Sequence, residues 1–448
     1  MTKDRTSFSS SAWVAVAAWA LLLAPWAAAQ SLGPAVFVGN NGNLEGSTTA
    51  FRVNPDGTLT FVNRVITGTR PSTQFPCPGC NPYEIAISPS GKYLATGHAS
   101  GTNVPEQISI FQVAPDASIT QIGAFSVPGT PMDVVWITDQ YLATVRTDPS
   151  PNLVVVYRFD PSPPSLTQVD AETTGTFSTY LAIDPSRTHL YVNDSGSGRL
   201  IRNFKIDSGG NLTLVSTAST GSYYGLELAV SNDGTKLYGA GGITNVIVGY
   251  DVGAEGVLTP MAGWPFPQFG SSPSNVAFST DDKYLLVGHG TDATVRSASI
   301  DPSTGMLTYT GNMFDVGLQG TLGDVQSLAG WFFVTDNSTA IDGIMGIYSF
   351  TLNPDGSFTQ NGPIVSTQGI APRSVATWGL PLYRGDMNCD NVVDFDDIDA
   401  FVLALSGPEA YAQSYPNCQF LRADCNQDSV VNFDDIDPFV ACLTGACP

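Results

Sequence analysis

The stretch FRVNPDGTLTFV (51–62) sets a Pro-Asp-Gly turn between two runs of alternating β-branched, aromatic and polar residues. That combination specifies a hairpin, because the turn residues accept the tight backbone geometry and the alternation puts one face of each strand in a core. The same figure returns as FQVAPDASITQI (111–122), YRFDPSPPSLTQV (157–169), FKIDSGGNLTLV (204–215), YDVGAEGVLTPM (250–261), SIDPSTGMLTYT (299–310) and FTLNPDGSFTQN (350–361). Pro55 and Pro354 are 299 residues apart across six intervals, about 50 residues per repeat. A repeat of that length holding several strands is the signature of β-propeller blades.

A second hairpin precedes the first kind, but six times only: EIAISPSGKYLATG (84–97), DVVWITDQYLATV (133–145), YLAIDPSRTHLYVN (180–193), ELAVSNDGTKLYGA (227–240), NVAFSTDDKYLLVG (275–288) and DVQSLAGWFFVT (324–335). The first blade begins with AVFVGN (35–40) and lacks an inner strand, and RSVATW (373–378) stands unclaimed after the last blade. Pairing those two segments closes seven blades into a ring and removes the open edge of a linear array. A mainly β, seven-bladed propeller over 34–380 is the expected fold, with an open array of sandwiches as the alternative.

Composition narrows the function. Of 448 residues, 40 are acidic and 18 basic, for a net charge of −22, and only 13% are charged. With 42% hydrophobic residues the chain is not disordered, and an acidic chain without a basic stretch is a poor binder of nucleic acid. Residues 1–29 read as a secretory signal peptide: Lys3 and Arg5, an apolar run AWVAVAAWALLLA (12–24), and Ala27-Ala28-Ala29 before a cut ahead of Gln30. The expected product is secreted or held at the cell surface, with no membrane span after cleavage and in a compartment where disulfides persist. Cys77 and Cys80, in CPGC, are expected to bond locally.

HLYVND (189–194) and the blade pattern resemble the YVTN-type propellers of the bacterial 6-phosphogluconolactonase family. The resemblance covers about residues 34–380, and its motifs are structural. It implies a lactonase-like site at the channel mouth, where inner strands begin and second strands end. The inner-strand starts are Glu84, Asp133, Tyr180, Glu227, Asn275, Asp324 and Arg373, and the second-strand ends are Asn41, His98, Arg146, Ser195, Gly242, His289 and Asn337. Lactone opening by water needs a base near neutrality and a donor for the developing oxyanion. Glu84 or Glu227 as base, His98 or His289 as acid/base and Arg146 as clamp are the candidates.

Residues 384–448 form a separate, acidic module with 12 of the 40 acids and two bases. It duplicates one unit: GDMNCDNVVDFDDIDAFVLAL (385–405) and ADCNQDSVVNFDDIDPFVACL (423–443). Each reads as a calcium loop followed by a short helix. Asp386, Asn388, Asp390, Asp394 and Asp397 hold positions 1, 3, 5, 9 and 12 of the first loop, with the carbonyl of Val392 at 7. Asp424, Asn426, Asp428, Asn432 and Asp435, with Val430, repeat the set. Two calcium ions are the expected cofactors. The doubled, EF-hand-like pattern resembles a type I dockerin, which implies a cohesin-like or surface scaffold as partner. Positions 6 (Asn391, Ser429) and 10–11 (Phe395-Asp396, Phe433-Asp434) depart from that family. Five cysteines in the tail leave at least one thiol free or paired elsewhere.

Three functions fit these features. One is a secreted protein whose propeller binds a ligand or partner and whose tail anchors it. A second is an extracellular hydrolase of sugar lactones or carbohydrates. A third is a structural surface protein.

Overall fold

The computed structural model describes Met1 and residues 33–448, apart from 55, 72–76, 100–105, 149, 197, 224–225, 267–268, 319, 341, 380–383, 389–392, 416–417, 419, 427–430 and 445–448. The segment expected to be a signal peptide therefore lies outside the described residues, except for Met1. Among the described residues, no helix is long and apolar enough to cross a membrane.

Seven antiparallel sheets follow one another along the chain, each with four strands counted outward from the axis. The second blade shows the pattern, with Pro82–Ile87, Tyr93–His98, Glu106–Val113 and Ile119–Val127. Blade 7 carries an additional two-residue strand, Val365–Ser366, against Gly346–Leu352. The first blade is closed as its sequence requires. Pro372–Trp378 pairs antiparallel with Ala35–Asn41, matching Ala35 to Trp378 and Val38 to Val375.

Each blade hides both faces, which explains the short strands with apolar residues on alternate positions. Ala35 and Phe37 enter a cluster with Ile85, Leu94 and Phe111 of blade 2. Val36 and Val38, one residue out of phase, meet Phe333 and Ile347 of blade 7. Five further clusters fill the remaining blade interfaces. The period-2 alternation of a strand is here a division of its side chains between two neighbouring blades.

The hairpin turns also reach across interfaces. In blade 7, Gly356 (φ +77°) takes the left-handed position of the Asn-Pro-Asp-Gly turn, and its carbonyl accepts the Ser297 hydroxyl of blade 6 at 2.6 Å. Ser349 of blade 7 donates in the same way to Gly57 O of blade 1, at 2.6 Å. The repeated turn that marks the blades in the sequence is therefore also an inter-blade fastening.

The tail contains α-helices Ile398–Ala404, Pro408–Ser414 and Ile436–Leu443 around a small core. Phe401 and Phe439, equivalent residues of the two repeats, stack with ring centroids 4.0 Å apart. Cys77 and Cys80 are bonded to each other, as expected. Cys418 and Cys442 each belong to a disulfide, and among the described residues Cys425 is a free, buried thiol.

Candidate active site at the channel mouth

The inner strands neighbour one another in blade order around the axis, so residues at their starts face a common channel. Their entry is irregular in a repeated way. Pro82 pairs with His98 and Glu84 with Gly97, so Tyr83 is an extra residue in the inner strand. The same bulge places Met132 between Pro131 and Asp133, Ser274 between Pro273 and Asn275, and Arg373 between Pro372 and Ser374. Blade 7 shows a like shift between Leu322 and Val325. Proline suits the first residue of such a strand, and a bulge turns the next side chain off the ladder.

This register corrects two sequence assignments. Ser374, not Arg373, stands level with Glu84 and Asp133, because residue 373 is the bulged one. The second-strand ends are Asn41, His98, Arg146, Asp194, Gly241, His289 and Asp336. Ser195, Gly242 and Asn337 lie one residue beyond, since the hairpins differ by one residue in where pairing stops.

At the mouth, Glu84, Glu227 and Asp324 act on the guanidinium of Arg373, and Asp133 acts on the same acids. Arg373 Nε lies 3.9 Å from Glu84 Oε1, and the guanidinium sits over the Tyr83 ring at 3.9 Å. Both side chains keep some access to the channel, 19% for Glu84 and 32% for Arg373. Asn275 Nδ2 donates to Glu227 Oε2 at 2.9 Å. Asp133 accepts the amides of Val134 and Leu181, both at 2.6 Å. Asp324 repeats that bracket, accepting Val325 N at 2.6 Å and Val375 N at 2.8 Å. Each aspartate thus ties its own inner strand to that of the next blade.

Burial pushes all four acids upward. Asp133 and Asp324 are raised to about 7, burial outweighing the backbone amides that favour their ionised forms. Glu84 is raised well above the usual range by burial, against the pull of Arg373 and with the repulsion of Asp324 and Asp133. Glu227 is raised by burial and by Asp324, Glu84 and Asp133, with Arg373 opposing. Burial also works against the charge on Arg373, but Tyr83, Glu84, Tyr180 and Glu227 together outweigh it and fix the cation. A carboxyl held near neutrality beside a permanent cation is the pairing that general-base attack on a carbonyl uses.

The remaining candidates stand elsewhere. His98 is fully buried one strand outward, with Nδ1 3.1 Å from Cys80 O and Nε2 2.9 Å from Ser109 Oγ. Burial lowers its pKa to about 4, the Cys80 carbonyl opposing. His289 is likewise buried and lowered to about 4 by burial, with Asp292 opposing and Arg296 adding. Arg146 lays its stem along Gly129. Of the five catalytic candidates, Glu84 and Glu227 are brought together at the mouth, whereas His98, Arg146 and His289 occupy the second-strand ring. Asn40, next to Asn41 of that ring, bonds Ser47 and Thr49 of the third strand, and Asp194 pairs with Arg202, so this ring ties strands together.

Sequence reading missed Tyr83 and passed over Asp133, Asp324 and Arg373 as catalytic candidates. The signal was present as a repeated tripeptide, Pro-Tyr-Glu (82–84), Pro-Met-Asp (131–133), Pro-Ser-Asn (273–275) and Pro-Arg-Ser (372–374). A proline at a strand start followed two residues later by a polar residue marks the bulge.

In the tail, Asp390, Val392, Asp428 and Val430 lie outside the described residues. Asp397, at position 12, accepts the amides of Met387 (2.6 Å), Asn388 and Asp394 (both 2.9 Å) and so shapes the first loop. Asp435 does the same for Asn426 (3.1 Å) and Asn432 (2.9 Å). Asp394 and Asn432 each cap the turn that follows. The position-1 residues meet arginines of the opposite repeat. Arg422 forms a buried ion pair with Asp386, and Arg384 acts electrostatically on Asp424. The oxygen donors suit a hard divalent ion in type. Among the described residues, however, no three Asp, Glu, His or Cys groups stand together as a metal cage.

A family model described as "Lactonase, 7-bladed beta-propeller" matches residues 140–240 and 220–322. That match spans the middle blades, and the fold of the whole ring is a seven-bladed β-propeller. A proposed 6-phosphogluconolactonase from Bacteroides fragilis shares the fold with a TM-score of 0.61 and 16% identity, over 77% of this chain and 98% of that one. Its counterpart from Bacteroides uniformis gives 0.60 and 14%, over 77% and 99%. A periplasmic gluconolactonase from Pseudomonas aeruginosa gives 0.57 and 15%, over 77% and 98%. No curated protein matches the chain. The family match does not extend to residues 384–448, so the dockerin resemblance of the tail is carried by its sequence alone.

Proposed function

We propose that the protein hydrolyses sugar lactones at the channel mouth. The observation that carries this reading is the convergence of raised carboxyl groups on the single guanidinium of Arg373. Glu227 is the base: it is anchored by Asn275 through one oxygen and lines a cavity of about 340 Å³ in the channel. Ionised, it takes a proton from water as the water oxygen bonds to the lactone carbonyl carbon. Arg373, oriented by Glu84 and Tyr83, bears the negative charge that develops on the carbonyl oxygen. Collapse breaks the ring C–O bond, and a protonated neighbouring carboxyl or the Tyr180 hydroxyl supplies the proton to the departing alkoxide. Replacing Glu227 with Gln should lower kcat by roughly 100-fold or more. Wild-type protein that leaves a panel of sugar lactones at the uncatalysed rate would sink this reading.

A second reading, docking through the tail, is favoured by one observation. The equivalent side chains Phe395 and Phe433 are 77% and 75% exposed, with Val402 and Val440 also exposed, so the duplicated module presents the same apolar group twice. In this reading the exported propeller is tethered to a cohesin-like or surface scaffold, and the two loops take calcium through the carboxylates at positions 1 and 12 and the side-chain oxygen of Asp394 or Asn432 at position 9.

A further inference from the structure

Resting on the lactonase reading, we propose that the substrate is an uncharged, polyhydroxylated sugar lactone rather than a phosphorylated one. The cavity running from Glu227 along the channel carries no cation among its lining residues, and Glu227 is its one charged group. Asn232, Gln326, Ser327 and Thr377 give it neutral donors and acceptors, which match hydroxyl groups. Small residues such as Ala182 and Ala277 leave the space.

A phosphate monoester brings close to two negative charges and requires fixed cations. Arg373, at the mouth, stacks on the Tyr83 ring and faces Glu84 at 3.9 Å, and it is not among the residues that line the cavity. Several cations elsewhere are committed as well: Arg202 to Asp194, Lys236 to Asp251 and Arg296 to Asp292.

The test compares kcat/KM of the purified full chain for D-glucono-1,5-lactone and for its 6-phosphate at pH 7. The neutral lactone should be preferred by about 100-fold, the scale expected of several unmatched charges at short range. Thr377→Lys, which places a cation in the cavity lining, should narrow the gap. Equal or better use of the phosphorylated lactone overturns the inference and leaves lactone hydrolysis standing. Turnover of neither removes both.

Discussion

The guanidinium of Arg373 lies over the ring of Tyr83 at 3.9 Å, and both are the extra residue of a bulge at an inner-strand start. Blades 1 and 2 thereby hand a cation and its support to the same channel. Arg373→Met should lower kcat on a lactone by about 100- to 1,000-fold, the usual loss of an oxyanion donor. Arg373 also lowers Glu84 and Glu227. Its loss should therefore move the acidic limb of the pH–rate profile, which ionisation of the base Glu227 sets, to higher pH, a shift that a merely structural residue would not produce.

The pH dependence of stability follows from the acids of the ring. Asp133 and Asp324 are raised to about 7 by burial, and Asp336 to about 6 for the same leading reason. The folded protein holds protons that the unfolded chain releases near its ordinary value of 3.8, so unfolding becomes easier as pH rises from about 4 towards 7. Exposed acids lowered by hydrogen bonds, such as Asp301 at about 2 through Ser303, act below that window. Thermal melts should give a higher Tm at pH 5 than at pH 8. The Asp133→Asn, Asp324→Asn double variant should flatten that slope, and an unchanged slope would place the titration elsewhere.

Ring closure has a local test. Asp324 receives Val375 N at 2.8 Å and so ties blade 7 to the strand that completes blade 1. Asp324→Ala removes the acceptor from a buried amide and should cost about 1–3 kcal/mol. Deleting residues 372–380 should abolish cooperative unfolding, because blade 1 then lacks its inner strand. Denaturant titration monitors both.

His98→Ala separates packing from chemistry. Its ring nitrogens face Cys80 O and Ser109 Oγ inside blade 2. Stability should fall by about 1–3 kcal/mol. kcat/KM on a lactone should stay within a few-fold, and a large drop in kcat without loss of stability would return His98 to the site.

For the tail, calorimetric titration of the intact protein with calcium should show two sites. Asp386→Ala with Asp424→Ala should abolish them. Because Arg422 and Arg384 already face these aspartates, replacing both arginines with Gln should tighten calcium binding by removing the competing cations. An absence of heat in wild type and variants alike would leave the arginines as the tail's own fastening.

The blade count, the closing strand and the ring at the inner-strand starts were legible in the sequence because they depend on repeated local patterns. FRVNPDGTLTFV and its relatives announce a turn, and RSVATW announces an orphan strand. What escaped was a one-residue effect. Reading RSVATW from its first residue placed Arg373 in line with Glu84, whereas the bulge puts Ser374 there and sends Arg373 onward. His98 and His289 looked like chemistry because they are rare and equivalent. Equivalence in a propeller also arises from a shared structural duty, and sequence position alone does not reveal that Ser109 waits one strand away.

The repeated bulge has a consequence for how such a channel can change. Each bulged residue stands outside the ladder that sets the register of its blade, so Tyr83, Met132, Ser274 and Arg373 differ in charge, size and chemistry within one scaffold. The bulged starts behave as sockets wired in parallel. A new side chain in one socket alters what the channel recognises, and the hydrogen-bonded frame around it keeps its shape.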